Sequence, residues 1–98
     1  MLILASPIYY HGFSGQLKCA IDRLYAIGAP SQLKLKKVGM LLSSGADDVY
    51  DGAVYSFGKN FLDYLKLQDA GIVTAFGKEN KSEEKLQEAF QLGFALQD

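Results

Sequence analysis

Three short apolar runs divide the chain: residues 2–5, 38–42 and 72–76. None alternates apolar with polar positions, which is the pattern of strands buried on both faces of a parallel sheet. Each run is followed by a loop and then by apolar residues at helical spacing. Leu17, Ala20, Ile21, Leu24 and Ile27 follow the first, and Val54, Phe57, Phe61, Tyr64 and Leu65 the second. Leu86, Ala89, Phe90, Gly93 and Phe94 follow the third. Such spacing gathers each set on one stripe of a helix. Ser14 or Gly15 opens the first helix, and Gly28-Ala29-Pro30 closes it. Ser82 with Glu83 and Glu84 opens the last, a capping hydroxyl followed by two carboxylates at the positive helix end. The order βαβαβα predicts one α/β unit on a sheet of three parallel strands in chain order. Right-handed crossovers put the first two helices on one face, and the third covers the other.

The first strand has interior composition yet starts at Met1 with no lead-in. A bare apolar edge invites pairing with another chain. The expectation is that another molecule covers it, a second copy related by two-fold symmetry or a missing N-terminal half.

Composition narrows the function. With 98 residues the chain is one small domain or part of one, and its net charge of −1 provides no basic surface for nucleic acid or an anionic membrane. Cys19 is the single cysteine, so neither a disulfide framework nor a thiolate metal cluster forms, and a buried, inert thiol in a reducing cytoplasm is expected. No apolar run approaches the roughly 20 residues of a membrane span, and the first residues lack the basic region of a signal peptide.

Open α/β sheets bind ligands beyond the carboxyl ends of their strands. The first such end reads Ser6-Pro7-Ile8-Tyr9-Tyr10-His11-Gly12-Phe13-Ser14-Gly15. This is a long βα loop, fixed at one end by proline, with two adjacent tyrosines. It suits a flat aromatic ligand, since ring faces stack while backbone amides stay free to bond heteroatoms.

Ser6-Pro7-Ile8-Tyr9, Gly15-Gln16-Leu17-Lys18 and Ile21-Asp22-Arg23 together resemble the signature of the NAD(P)H-dependent FMN reductase and iron–sulfur flavoprotein group. Lys37-Val38-Gly39, Ser43-Ser44-Gly45 and Leu86-Gln87-Glu88-Ala89 before Gly93 are similar to later segments of that group. The resemblance implies a flavodoxin-like fold, a truncated form of its three-layer sheet, with FMN as cofactor and NAD(P)H as electron donor. It implies that Pro7, Ile8, Tyr9, Tyr10, His11 and Gly12, with Ser6 at the strand end, run beside the flavin ring. Ser43, Ser44, Gly45 and Ala46 would form a second wall or receive substrate. The pattern departs at His11-Gly12, where relatives more often carry Gly-Ser.

The Ser/Thr/Asn-rich loop with which that group binds the FMN phosphate at a helix N-terminus has no counterpart in the sequence. The chain thus reads as a partial flavodoxin-like domain, residues 1–98, that lacks the N-terminal phosphate-binding βα units and binds FMN weakly. The alternative is a truncated, non-enzymatic fragment serving as an assembly or interaction module. A response-regulator receiver shares the topology but needs aspartate where Ser6 stands.

No acid–base dyad or metal set is evident. His11 reads as an exposed loop residue, Asp22 and Arg23 as helix-surface ion-pairing groups, and Asp47-Asp48 as a solvated turn. Tyr50, Tyr55, Phe57, Phe61 and Tyr64 read as core or interface aromatics.

Overall fold

The computed structural model describes residues 1–24 and 34–94. Its strands are β1 (Leu2–Pro7), β2 (Lys37–Ser44) and β3 (Gln68–Phe76), and its helices α1 (Gly15–Arg23), α2 (Asp51–Phe57) and α3 (Glu83–Phe94). Both strand pairs are parallel and the order is β1-β2-β3, as the βαβαβα pattern requires. Ile27 and the closing Gly28-Ala29-Pro30 lie outside the described residues.

Central strand β2 builds the core. Val38, Met40 and Leu42 alternate onto one face and are buried with Leu4, under Ile21 of α1, Ala53 and Phe57 of α2, and Phe61. Phe61 belongs to a π-helical segment, Gly58–Tyr64, that continues α2; the Leu65 amide donates to the Asn60 carbonyl at 3.1 Å, an i→i+5 bond. Its ring meets Phe57 at 6.1 Å between centroids.

Helix α3 covers part of the other face through a close approach. A Cβ on Gly39 would lie 3.0 Å from Leu92 Cδ1, 3.2 Å from Ile3 Cδ1 and 3.3 Å from the Gly71 carbonyl oxygen. Gly71 has φ +126°, and the register steps there from Val38↔Asp69 to Gly39↔Gly71. Ala70 is the extra residue of this bulge, and the glycine supplies the conformation that side-chain-bearing residues avoid. Ser82 caps α3 as expected, its Oγ accepting from the Lys85 amide at 3.1 Å.

Two expectations are corrected. Leu92 is the buried residue of α3, whereas Leu86, Phe90 and Phe94 are exposed, so the apolar stripe turns away from the sheet. The reason is geometric: the paired glycines 39 and 71 make a hollow that only Leu92 fills. Cys19 is exposed rather than buried, because α1 turns Ile21 to the core and leaves Cys19 and Ala20 outward. Of the aromatics read as core or interface, Tyr50, Phe57 and Phe61 are in the core, and Tyr55 and Tyr64 lie at the surface.

The hollow yields a stability prediction. Gly39→Val should push Leu92 off the sheet and lower the unfolding free energy by about 1–3 kcal/mol, the usual cost of overpacking. Urea unfolding should show a lower midpoint at unchanged slope.

Candidate functional site

All three strands end at one edge, and hydrogen bonds tie those ends together. Pro7 pairs with Ser43 in the sheet, and the Ile8 amide donates to the Ser43 carbonyl at 2.8 Å. Pro7 and Ile8 therefore lie beside Ser43, while the loop tip at His11 meets α2 at Gly52. Tyr50 Oη donates to the Ala75 carbonyl at 3.0 Å and lies 2.8 Å from Ser44 Oγ, which also bonds the Ala46 carbonyl. Asn80 Nδ2 donates to the carbonyls of Ser44 at 3.3 Å and Gly77 at 2.9 Å, bringing in the 3₁₀ turn Gly77–Lys81.

The first loop is closed by two serines. Ser6 is buried, and its Oγ accepts from the Ser14 amide at 2.9 Å and donates to the Pro7 carbonyl at 2.6 Å. Ser14 Oγ in turn accepts from the Leu17 amide at 3.2 Å and starts α1. Ser6 is thus engaged within the loop; of the residues it brackets, Ile8 and Phe13 pack against the core, while Pro7, Tyr9, Tyr10 and His11 are exposed.

At the loop tip, Tyr9 and Gly12 exchange both backbone hydrogen bonds, each 3.0 Å. The two residues between them have positive φ, +50° at Tyr10 and +65° at His11. Two-residue hairpin turns of the I′ type need positive φ at both central positions and favour Asn-Gly there. Tyrosine and histidine hold the same geometry at a cost of about 1–3 kcal/mol each. The turn leaves Tyr10 fully exposed and Tyr9 60% exposed. Helix α2 supports it from behind: a Cβ on Gly52 would stand 2.3 Å from the His11 carbonyl oxygen, so the absence of a side chain lets helix and turn meet.

Other candidates resolve as surface features. Lys18 and Asp22 form an exposed i,i+4 ion pair along α1. Asp47 and Asp48 are exposed, with the Asp48 amide bonded to Asp47 Oδ1 at 2.8 Å. Among the described residues no group of three or more His, Cys, Asp or Glu could hold a metal ion. Lys85, at the start of α3, hydrogen-bonds Glu88, which raises its pKa above the ordinary lysine value. No helix among the described residues is long and apolar enough to cross a membrane.

Tyr50, Gly52 and Asn80 complete this edge without having been singled out for it in the sequence. Tyr50 reads as one more core aromatic there, and only a structure shows its hydroxyl spanning two strand ends.

A parallel sheet in chain order with α1 and α2 on one face and α3 on the other is a flavodoxin-like α/β fold. Residues 1–81 match the family model described as NADPH-dependent FMN reductase, and the chain belongs to that family. Comparison with the curated proteins finds no match. Among solved structures, the Trp repressor binding protein from Bacillus subtilis is similar in fold, with a TM-score of 0.74 at 22% identity. The likeness covers 92% of this chain and 67% of that one.

The turn at Tyr10 and His11 is open to a direct test. The double variant Tyr10→Asn, His11→Gly keeps the backbone and relieves strain of about 2–6 kcal/mol at the two positions, offset by about 0.5–1 kcal/mol for the added glycine, so it should be more stable than the parent. Denaturant midpoints of the two proteins check this.

Proposed function

We propose that this chain carries the ring-contacting part of an FMN-dependent oxidoreductase that takes electrons from NAD(P)H. The observation that carries the reading is the strained turn, which holds Tyr9 and Tyr10 out into solvent at the ligand edge of a sheet belonging to the FMN reductase family. Strain kept at a ligand edge, where a relaxed turn was sterically available, is a mark of function.

The residues present fit the flavin ring. Tyr9 and Tyr10 offer stacking faces, Pro7, Ile8 and Gly12 line the adjoining backbone, and His11 presents a hydrogen-bonding imidazole. Ser43, Ser44, Gly45 and Ala46 form the facing wall or receive substrate. The loop excludes water from one ring face and leaves the other free for nicotinamide. FMN, when bound, supplies the hydride chemistry itself, so no side chain of this chain is assigned acid–base work.

The phosphate fits less well. The first turns of α2 and α3 carry Asp51 and the pair Glu83 and Glu84, which repel an anion, and the Ser14 hydroxyl already caps α1. We therefore read residues 1–98 as a partial domain whose phosphate-binding βα units come from elsewhere, either a missing N-terminal half or a second copy. An assembly module without enzymatic activity is the second reading, favoured by the exposed apolar side chains of α3. The lone thiol and mixed charge suit a cytoplasmic setting.

Fluorescence-quenching titrations of FMN and riboflavin against the purified chain test this. Both should bind weakly and with similar affinity, because ring contacts dominate. Tyr9→Ala or Tyr10→Ala should weaken both by about 0.5–1.5 kcal/mol beyond the lost contact area, the worth of an aromatic pair. Submicromolar FMN binding with riboflavin about a hundredfold weaker or worse would contradict the account, since that gap is about 2.7 kcal/mol of phosphate recognition.

A further inference from the structure

The edge of the sheet at β3 carries a surface that the flavin reading does not use. Among the described residues β3 pairs with β2 alone, so its outer edge is open. A parallel ladder turns alternate residues toward opposite neighbours. The Ser43 carbonyl accepts from Ile8 on the β1 side, so Met40 and Leu42 turn their backbone groups to β3. Their register with Ile72 and Thr74 makes Gly71, Val73 and Ala75 the residues that bond β2. Ile72 and Thr74 are left with N–H and C=O groups at the free edge. The next such amide, at Phe76, is already taken by Glu79 Oε1 at 3.2 Å. Beyond the bulge at Gly71, the stretch Ile72-Val73-Thr74-Ala75-Phe76 has none of the lysine, proline or charge that guard exposed edges.

A groove of about 500 Å³ runs along this edge beside α3. Gly71 and Val73 line it from the sheet, and Glu84, Gln87, Glu88 and Gln91 from the helix. Those four residues are exposed and recur at helical spacing, so they form one stripe of α3. Glu88 is paired with Lys85 at 3.1 Å, whereas Glu84 has no ion-pair partner among the described residues. An edge strand beside a helix-walled groove is the geometry of strand addition: main-chain bonds hold an extended peptide, and alternate side chains enter the groove. A side chain entering here crosses Val73 and ends at two carboxylates. Lysine or arginine suits that path, with an aliphatic stem and a cationic head. The alternate positions lie beside Ile72 and Thr74, where β-branched residues pack best.

We propose that the β3 edge and the acidic flank of α3 form a docking groove for an extended segment of a partner protein, in which basic and β-branched residues alternate. A second copy suits the surface poorly. Leu92 meets Gly39 and Gly71, so α3 overlies β2 and β3. Two β3 edges paired about a two-fold axis normal to the sheet would set the α3 helices about two strand spacings apart, roughly 10 Å. The acidic stripes of both copies would then face each other and repel. A basic segment neutralises the same stripe.

The probe is a capped peptide of sequence threonine-lysine-valine-lysine-valine-lysine-threonine, titrated at low salt into the isotope-labelled chain. Saturable amide shifts should centre on residues 71–75 and 84–91, and the Ile72 and Thr74 amides should gain protection from hydrogen exchange. The double variant Glu84→Gln, Glu88→Gln should bind the peptide roughly 2- to 30-fold more weakly, the worth of two exposed ion pairs, with a nearly unchanged melting temperature. A peptide with glutamate in place of each lysine should not bind. Unchanged shifts at millimolar peptide, equal binding of the glutamate peptide, or an undiminished affinity in the double variant would overturn the proposal. So would a dimer of the chain, seen by sedimentation, in which the Ile72 and Thr74 amides are already protected, since the occupant would then be a second copy.

Discussion

A parallel sheet has to be covered on both faces, and that requirement organises this molecule. On one face α1, α2 and the π-helical segment meet it fully, with Val38, Met40, Phe57 and Phe61 almost without exposure. On the other face the contact narrows to one leucine seated in a glycine hollow. The bulge at Gly71 and the bare Gly39 exist to let α3 descend there. The exposed Leu86, Phe90 and Phe94 of α3 lie where this second covering stops.

The carboxyl edge of the sheet is stiffened by different means. Instead of packing, it relies on hydrogen bonds that tie each strand end to the next: Ile8 to Ser43, Tyr50 across Ser44 and Ala75, and Asn80 to Ser44. Such cross-ties hold the strand ends in fixed register while Tyr9 and Tyr10 stay exposed. The turn at Tyr10 and His11 then spends conformational energy to keep an aromatic pair in solvent, which a fold serving stability alone would not do.

Much of this was legible in the chain. Uninterrupted apolar runs identified three parallel strands in order, because strands buried on both faces show no polar alternation. The polar start of β3 at Gln68-Asp69-Ala70 escaped that reading, being exposed edge and bulge rather than core. The aromatic loop was visible by composition and by its resemblance to the flavin reductases. Its positive φ angles were not, since neither Tyr10 nor His11 announces a left-handed turn. The stripe on α3 was recognisable as amphipathic, but its direction depended on Gly39 and Gly71, residues distant in sequence that meet only across the sheet. Cys19 went the same way: a position beside the apolar stripe of a short helix is decided by a small rotation that periodicity does not fix.

The claim that the aromatic turn is a flavin-ring surface is tested most directly by titrating lumiflavin, the ring without its ribityl phosphate, into isotope-labelled protein and following backbone amide shifts. The account predicts saturable shifts concentrated at residues 8–12 and 43–46, whose midpoint moves to several-fold higher ligand when Tyr10 is replaced by alanine. Shifts spread over the groove beside α3, or an unchanged response in Tyr10→Ala, would contradict it.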